Sequence, residues 1–278
     1  MLKAYSNFIK FEHTLFSLPL IFAGAFLAAK GVPDIELLVL IILAGTGART
    51  AALAINRIID RRIDALNPRT QERELPSGKI SLRNALVVTV LGLLLYFISA
   101  YLICDLVFYL SPVPLIVFIL YPFLKRFTYL CHFGVGLALA LAPLGGWIAV
   151  TCSFEGIFPA VVLSCFTFFW VSGFDIIYAT LDEEFDKRQG VYSIVAFFGK
   201  DTALRISSFL HLAAYFCIAF LYFFLFKSIF AGLALIVIGF LLYLEHRKSE
   251  DVDFAFFRIN ILIGFAIFLF VLCGLYLP

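Results

Sequence analysis

Two groups of acidic residues have side-chain types and a spacing that suit a divalent metal ion. In the first, Asn56, Asp60 and Asp64 follow one another at four-residue steps, and in the second Asp182 and Asp186 repeat that step. Residues four apart share one face of an α-helix. Two such groups facing each other would repel strongly, which favours a neutralising cation between them. Because oxygen ligands select hard ions such as Mg²⁺, which binds one or two carboxylates alongside phosphate oxygens, we expect both groups to hold Mg²⁺.

Basic residues near the acidic groups indicate that a diphosphate accompanies the metal. Arginine grips phosphate oxygens through two N–H groups at once, and lysine acts as a point charge. The candidates are Arg69, Arg73, Lys79, Lys125 and Arg126. For four further basic residues, Arg61, Arg62, Lys187 and Arg188, contacts with lipid headgroups and a role in setting topology are at least as good an explanation.

One ionisable residue lies two helical turns before each acidic group. Arg49 precedes Asn56 by seven residues, and Asp175 precedes Asp182 by seven. A step of seven returns close to the starting direction, so Arg49 shares a helix face with the first group, and Asp175 and Tyr178 share one with the second. A charge at membrane depth costs about 2.5–3.5 kcal/mol on insertion scales, so these residues are functional candidates. A structural ion pair between Arg49 and Asp175, and a Tyr178 that only packs, stay open as alternatives.

Nine apolar segments must carry these side chains. The chain is 63% hydrophobic and 14% charged, a composition more apolar than that of ordinary globular domains. The segments run roughly over residues 14–29, 36–57, 83–103, 105–124, 130–152, 156–180, 203–226, 229–245 and 256–277. We therefore expect an all-α polytopic membrane protein with nine transmembrane helices.

Lysine and arginine residues alternate between the two sides of these segments. By the positive-inside rule, the N-terminus and all the charge-rich connections are cytoplasmic. No signal-peptide pattern precedes the first segment, so we expect the N-terminus to be retained. These patterns predict an integral protein of the cytoplasmic (inner) membrane, in contact with membrane lipid and without a nucleic-acid partner, whose site opens to the cytoplasm.

The two acidic motifs are related by an internal repeat. The pattern of residues 56–64 recurs at a constant offset of 122 residues as Tyr178, Asp182 and Asp186. Both motifs lie where a helix leaves the membrane on the cytoplasmic side, and both helices run in the same direction. We expect two parallel, pseudo-repeated halves that face a shared central space, within a single domain over residues 1–278.

The six cysteines and four histidines show no disulfide or metal-ligand pattern. The cysteines are scattered without a C-x-x-C pair, so we interpret them as small buried hydrophobic residues. None of the histidines has a partner at a diagnostic spacing. Only His13, near the start of the first apolar segment, is a candidate for the site.

Together these residues resemble the UbiA-type intramembrane prenyltransferases over nearly the whole chain. The family's first motif, N-D-x-x-D-x-x-x-D, resembles residues 56–64, and its second, Y-x-x-x-D-x-x-x-D, resembles residues 178–186. Arg49, the run from Arg69 to Gly78 and the segment from Tyr121 to Arg126 are similar to members that prenylate 4-hydroxybenzoate in quinone synthesis. The resemblance implies nine transmembrane helices around a cavity, Mg²⁺ held by the two motifs, and a prenyl diphosphate bound beneath a cytoplasmic cap.

One position departs from the family's pattern. Residue 57 is Arg where the first motif usually has Asp, so metal coordination there would rest on the other three polar residues of the motif. Arg57 could instead contact a diphosphate or a carboxylate, and we assign it, with Arg49, to acceptor binding. This variant, with Pro68–Thr70, looks more like the branch that acts on 1,4-dihydroxy-6-naphthoate in the futalosine route to menaquinone. Both acceptors, that naphthoate and 4-hydroxybenzoate, stay open.

The resemblance implies transfer of a polyprenyl group from a prenyl diphosphate to an aromatic acid in ubiquinone or menaquinone synthesis. Mg²⁺ and the basic residues would stabilise the departing diphosphate, an allylic cation would form, and the ring would attack it next to a hydroxyl. Arg49 is placed to pair with the acceptor's carboxylate. Asp175 is placed to stabilise the cation or to take the ring proton, so Asp175, Tyr178 and Arg49 are the catalytic candidates.

Two alternatives to this reaction stay open. An ion- or proton-coupled transporter could use the intramembrane charges as a relay, although the outer connections are nearly bare of charge. An enzyme of the same fold could act on haem, a chlorophyll precursor or phosphoribose diphosphate. The Leu75–Gly78 and Tyr121–Arg126 stretches argue mildly against that second alternative.

Overall fold

The computed structural model describes residues 2–10, 14–249 and 258–278, and the regular elements in these ranges are all helices. They are α1 (Leu2–Ile9), α2 (Thr14–Ala29), α3 (Ile35–Leu66), α4 (Leu82–Ile103), α5 (Asp105–Leu110), α6 (Pro112–Leu124), α7 (Cys131–Thr151), α8 (Phe158–Ala179), α9 (Glu183–Gln189), α10 (Ile194–Phe198), α11 (Lys200–Leu225), α12 (Ile229–Arg247) and α13 (Asn260–Tyr276). The predicted all-α fold class is confirmed.

Seven helical segments of the described chain are long and apolar enough to cross a membrane, counting α5 with α6 and α8 with α9. Two shorter apolar helices, Ser17–Ala29 and Asn260–Tyr276, accompany them. These segments correspond to the nine expected from the sequence, but the count of nine crossings and their orientation stay predictions.

Helix α3 is much longer than a membrane is thick. Its 32 residues span about 48 Å at 1.5 Å per residue, against about 30 Å for the hydrocarbon core. The predicted apolar segment ends at residue 57, whereas the helix continues to Leu66 and holds the whole first motif on a rigid element. Arg49, Asn56, Asp60 and Asp64 therefore share one continuous helix, as their spacing predicts.

The second motif lies on a broken helix, which corrects the expectation of one continuous helix face. Helix α8 ends at Ala179, a 3₁₀ turn covers Thr180–Asp182, and α9 begins at Glu183. The Thr180 hydroxyl donates to the Ile177 carbonyl, 2.7 Å away, at this junction. A 3₁₀ turn has three residues per turn instead of 3.6, so the helix is not continuous there, but Tyr178 and Asp182 still lie close enough together for Arg69 to bond both.

Small residues bring the helices into close contact at the centre of the bundle. A Cβ atom on Gly24 of α2 would lie 2.0 Å from the Pro143 carbonyl oxygen of α7, and one on Gly146 would lie 2.0 Å from the Ile21 carbonyl oxygen. Close backbone approach of this kind is a recurrent way to pack helices in membranes. It places α7 against α2 on one side and leaves its other side for α8, whose Phe166 and Trp170 are fully buried.

A disulfide between Cys104 and Cys152 corrects the interpretation of the cysteines as isolated buried hydrophobic residues. Cys104 follows the C-terminal end of α4 and Cys152 follows that of α7, and their Cα atoms are 6.4 Å apart. Of the free cysteines, Cys273 is buried and Cys165 is exposed. The packing of the helix ends brings the two cysteines together. Their separation of 48 residues in sequence does not predict the disulfide.

Candidate active site

A cavity of about 600 Å³ lies among α3, the ends of α6, α7 and α8, and the loop between α3 and α4. We call that loop, residues 67–81, the first cap loop. The cavity lining includes eleven of the predicted residues: Asn56, Arg57, Asp60, Asp64, Arg69, Arg73, Lys125, Asp175, Tyr178, Asp182 and Asp186. The structure therefore brings the two acidic motifs and most of the predicted basic residues to one site.

Asp60 lies at the centre of the first acidic group and is 1% exposed. Its Oδ2 accepts a hydrogen bond from Asn56 Nδ2 at 3.1 Å and lies 2.6 Å from Lys125 Nζ. Its Oδ1 accepts no hydrogen bond within the described part of the chain and is 3.4 Å from Arg126 Nη2. Asp60 thus has one oxygen engaged and one buried oxygen with hydrogen-bonding capacity to spare.

Asp64, one turn further along α3, connects the helix to the first cap loop. Arg73 Nη1 donates to both carboxylate oxygens, at 3.0 and 2.9 Å. The Thr70 hydroxyl donates to the Asp64 backbone carbonyl at 3.0 Å. These bonds fold the loop back over the end of α3, so that its basic side chains face the acidic residues.

Arg69 carries the same loop across to the second acidic group. Its Nε donates to Asp182 Oδ1 at 2.9 Å, its Nη2 donates to Asp182 Oδ2, and its Nη1 donates to the Tyr178 hydroxyl. The guanidinium also stacks on the Tyr178 ring, 4.7 Å from its centroid. Burial alone would lower the pKa of Arg69, but the hydrogen bond with Asp182 and the neighbouring Tyr178 raise that pKa on balance, so the group stays charged.

Asp186 is held from the loop before α10. Its Oδ2 accepts a hydrogen bond from the Ser193 hydroxyl at 2.9 Å, and that hydroxyl accepts one from the Ala196 backbone N–H at 3.1 Å. Ser193 is therefore both the N-cap of α10 and a partner of the predicted metal ligand. This second cap loop, residues 190–193, lies beside the cavity.

Asp175 is paired with His132, a residue that the sequence analysis left without a partner. His132 Nδ1 is 2.7 Å from Asp175 Oδ2, and His132 Nε2 accepts the Ile194 backbone N–H at 3.3 Å. The sequence analysis named only His13 as a candidate, because the 43 residues between His132 and Asp175 match no diagnostic spacing. The one feature of the sequence that could have indicated His132 is that it lies in the first turn of an apolar segment. The alternative of a pair between Arg49 and Asp175 stays a prediction.

Three predicted residues lie outside the cavity lining as described. Arg49 lies deeper along α3, and Tyr121 of α6 is within electrostatic range of Arg49, Asp60 and Asp175. Lys79 is half exposed and interacts with Glu72 in its own loop. Arg126 donates to the Ile59 and Pro122 carbonyls beside the cavity. His13 lies outside the described residues.

Arg57 makes a set of structural contacts that its sequence position did not indicate. Its Nη1 is 3.0 Å from Glu74 Oε2 in the first cap loop, and its Nη2 donates to the Asn7 carbonyl at 3.4 Å. The guanidinium also lies 5.6 Å from the centroid of the Phe8 ring. With 6% of its side chain exposed, Arg57 connects α1, α3 and the loop, and its predicted role in acceptor binding stays a prediction.

The oxygen atoms in the cavity fit a magnesium ion that is shared with a phosphate group. Within the described ranges, no three His, Cys, Asp or Glu side chains are close enough to hold an ion by themselves. Mg²⁺ does not require such a cage, because it keeps water ligands and takes one or two carboxylates together with substrate phosphates. The buried Oδ1 of Asp60, which accepts no hydrogen bond within those ranges, is a suitable ligand atom.

A known protein family matches most of the chain. The model of the UbiA prenyltransferase family matches residues 17–262. A 4-hydroxybenzoate octaprenyltransferase of Vesicomyosocius okutanii subsp. Calyptogena okutanii is 36% identical over 185 residues, which cover 65% of this chain and 66% of that protein. The enzyme of that name from Vibrio atlanticus is 33% identical over 66% of this chain and 63% of its own length. The chain thus aligns with just under two thirds of the length of these two relatives.

Solved structures share the fold. A UbiA homologue from Archaeoglobus fulgidus, bound to GPP and Mg²⁺, superimposes with a TM-score of 0.68 at 20% identity, over 95% of this chain and 99% of that one. A UbiA homologue from Aeropyrum pernix K1 superimposes with a TM-score of 0.85 at 32% identity, over 92% of this chain and 95% of that one. Because the family model spans most of the chain and the similarity to the A. pernix protein extends over nearly all of it, this integral membrane protein belongs to the UbiA prenyltransferase family.

Proposed function

We propose that this protein transfers a polyprenyl group from a prenyl diphosphate to the ring of 4-hydroxybenzoate, with Mg²⁺ as cofactor, in respiratory quinone synthesis. The two curated relatives carry the name of that reaction. Membership of a prenyltransferase family argues against the transporter alternative. The dihydroxynaphthoate is the second acceptor to be tested.

The alternation of acids and cations in one cavity carries the proposal. Lys125 lies against Asp60, Arg73 against Asp64, and Arg69 against Asp182. A magnesium diphosphate presents the complementary arrangement, since the metal suits the carboxylates and the phosphate oxygens suit the arginine forks and the lysine. A ligand with charge of only one sign would be attracted either to the acidic or to the basic side chains, but not to both.

The residues of the chain divide the work of the reaction. Bound Mg²⁺ supplies positive charge that stabilises the departing diphosphate. Arg69, Arg73 and Lys125 neutralise the remaining phosphate charge and orient the leaving group. Apolar side chains in the cavity, Leu53 and Val135 among them, provide a dry wall for the prenyl chain and keep water from the allylic cation. Asp175, on the same wall, accepts the proton that the ring loses.

The assignment of 4-hydroxybenzoate as the first acceptor follows from the contacts of Arg57. The argument for the naphthoate was the resemblance of the Arg57 variant and of Pro68–Thr70 to one branch of the family. Because the guanidinium is engaged by Glu74 and the Asn7 carbonyl, it does not supply a distinguishing contact to a second ring. Arg49, deeper on α3 and near Tyr121, remains the proposed partner of the acceptor's carboxylate.

The position of the disulfide supports the proposal that this inner-membrane protein has a site that opens to the cytoplasm. Cys104 and Cys152 lie at the ends of α4 and α7 that point away from the cavity. Disulfides persist on the oxidising side of a membrane, outside the cytoplasm. The site would then face the cytoplasm, and so would the N-terminal helix α1, whose Asn7 contacts Arg57 beside the site.

The test is an assay of the detergent-purified protein with labelled geranyl diphosphate and 4-hydroxybenzoate, with and without Mg²⁺. We expect an apolar prenylated acid to form only when the metal is present. We expect Asp60→Asn and Asp182→Asn to lower kcat/KM by at least about a hundredfold, as loss of metal ligation or of an oriented charge does. Asp105→Asn, a change at an exposed acid of α5 away from the cavity, is the matched control. Product formation in EDTA, or full turnover by both site variants, would contradict the proposal.

A further inference from the structure

We propose that His132 is a positioning residue for Asp175: it holds the carboxylate in one orientation, without exchanging a proton itself. This inference rests on the function proposed above, in which Asp175 receives the ring proton. In that step the ring C–H bond breaks, its electron pair restores the aromatic ring, and the proton passes to an oxygen of the Asp175 carboxylate.

The two side chains of the pair differ in their access to the cavity. The side chain of His132, in the first turn of α7, is 3% exposed, whereas that of Asp175 on α8 is 23% exposed. The 2.7 Å contact joins His132 Nδ1 to Asp175 Oδ2. The histidine therefore supports the carboxylate from behind, and Oδ1 is the oxygen left to meet a substrate.

The Ile194 backbone determines which histidine nitrogen carries the proton. Its N–H can only donate, so His132 Nε2, 3.3 Å away, must offer a lone pair. The single proton of the neutral ring is then on Nδ1, where it is donated to Asp175 Oδ2. A second proton on Nε2 would break the Ile194 bond, so the contacts favour one neutral tautomer that acts as a fixed donor.

The same turn of chain also anchors the second acidic motif. Ser193, directly before Ile194, caps α10 and donates to Asp186. The start of α10 therefore connects a proposed metal ligand with the support of the proposed proton acceptor. The distance between the metal site and Asp175 is thereby held by two hydrogen bonds from adjacent residues.

A contact that only packed α7 against α8 would have different properties. Two apolar side chains could pack the helices equally well, and such packing would not need a carboxylate that faces a polar cavity. A donor that holds one oxygen of the carboxylate restricts its rotation and leaves the other oxygen oriented towards the cavity, as a proton acceptor requires. This difference gives the two explanations different kinetic outcomes.

The first experiment compares His132→Leu, which removes the donor, with His132→Asn, whose amide N–H can stand in for Nδ1–H. Loss of a hydrogen bond to a charged group corresponds to a decrease of about tenfold to a hundredfold, so we expect kcat of the Leu variant to fall by that factor. KM for the prenyl diphosphate should stay within about twofold, because the cations that bind it are unchanged. The Asn variant should recover most of the loss. An unchanged kcat in the Leu variant, or equal losses in both variants, would overturn the proposal.

The second experiment removes the Ile194 N–H without touching His132. Ile194 is the first residue of α10, where a helix tolerates proline, and Ser193 has the extended conformation, φ −144° and ψ 160°, that precedes proline. Ile194→Ala is the matched control, since it loses the buried side chain but keeps the N–H. We expect kcat of Ile194→Pro to be about two to ten times lower than that of Ile194→Ala. Equal values for the two variants would argue against a role for this hydrogen bond.

A spectroscopic measurement separates this inference from the proposed function. With ¹⁵N-labelled histidine, the ring signals that disappear in His132→Asn report the tautomer whether or not the enzyme turns over. We expect the neutral Nδ1–H form near pH 7, and an imidazolium or an Nε2–H form would overturn the inference. If the tautomer is as expected but no acceptor is prenylated, the proposed function fails and the hydrogen-bond arrangement stands.

Discussion

The ion pair between Arg57 and Glu74 gives a prediction that distinguishes two roles for the residue that departs from the family's motif. Arg57 Nη1 and Glu74 Oε2 are 3.0 Å apart, with 6% and 13% of the two side chains exposed. Truncating one partner of a buried pair leaves the other charge uncompensated and costs about 3–5 kcal/mol. Because Glu74 is near the cavity mouth and retains some hydration, we expect about 2–3 kcal/mol for either Arg57→Met or Glu74→Leu.

The consequence for activity follows from what the pair holds in place. Glu74 lies in the first cap loop, which also carries Arg69 and Arg73. If the pair anchors this loop, both single variants should raise KM for the prenyl diphosphate by about tenfold or more, since 1.4 kcal/mol corresponds to a factor of ten. KM for the aromatic acid should change little in either variant.

A double-mutant cycle measures the coupling directly. The variant Arg57→Met with Glu74→Leu replaces the buried charges by apolar groups, a change that is often close to neutral. We therefore expect it to be less impaired than the sum of the single variants, with a coupling of at least about 1 kcal/mol in thermal stability and in donor KM. If Arg57→Met instead raises KM for the acceptor while Glu74→Leu does not, the anchoring explanation is wrong and Arg57 contacts the acceptor.

Two further predictions concern charge at the site and the disulfide at the far end of the bundle. Lys125→Met removes the cation 2.6 Å from Asp60 and should raise KM for the prenyl diphosphate about tenfold. As a control, Lys187→Met removes a half-exposed lysine whose ion pair is at the surface, and it should change that KM less than twofold. Equal effects of the two variants would contradict the assignment of Lys125 to diphosphate binding. Replacing Cys104 and Cys152 together by serine should destabilise the protein by about 2–4 kcal/mol in thermal unfolding without changing kcat at low temperature; an unchanged melting temperature would contradict this expectation.

Periodicity in the sequence predicted what a single helix carries. Arg49, Asn56, Asp60 and Asp64 lie on one uninterrupted helix because α3 has no proline or glycine within this stretch to end it. The second motif crosses the 3₁₀ turn that ends at Asp182, so it does not lie on one continuous helix, although its residues line the same cavity. That turn depends on how α8 leaves the bundle. The four-residue spacing of the second motif does not predict it.

Contacts between distant segments could not be predicted in this way. Arg69 and Asp182 are 113 residues apart, and His132 and Asp175 are 43 residues apart. Which cation meets which acid depends on how the cap loops fold over the helix ends. The resemblance to a family indicated that these residues belong to one site, but the identity of each pair comes from packing.

Because the charges at the site are paired, a single substitution changes both the binding of phosphate and the environment of the partner side chain. Asp60 is 1% exposed and is compensated by Lys125 and Arg126, so removing either cation changes the charge of the carboxylate's surroundings as well as the grip on a phosphate. A nearly buried carboxylate that has lost a partner is itself destabilised. Removing a cation therefore has two effects at this site, and a double-mutant cycle on the cation and the acid that it contacts separates them. A metal diphosphate, which supplies both signs of charge at once, can bind without leaving either member of a pair uncompensated.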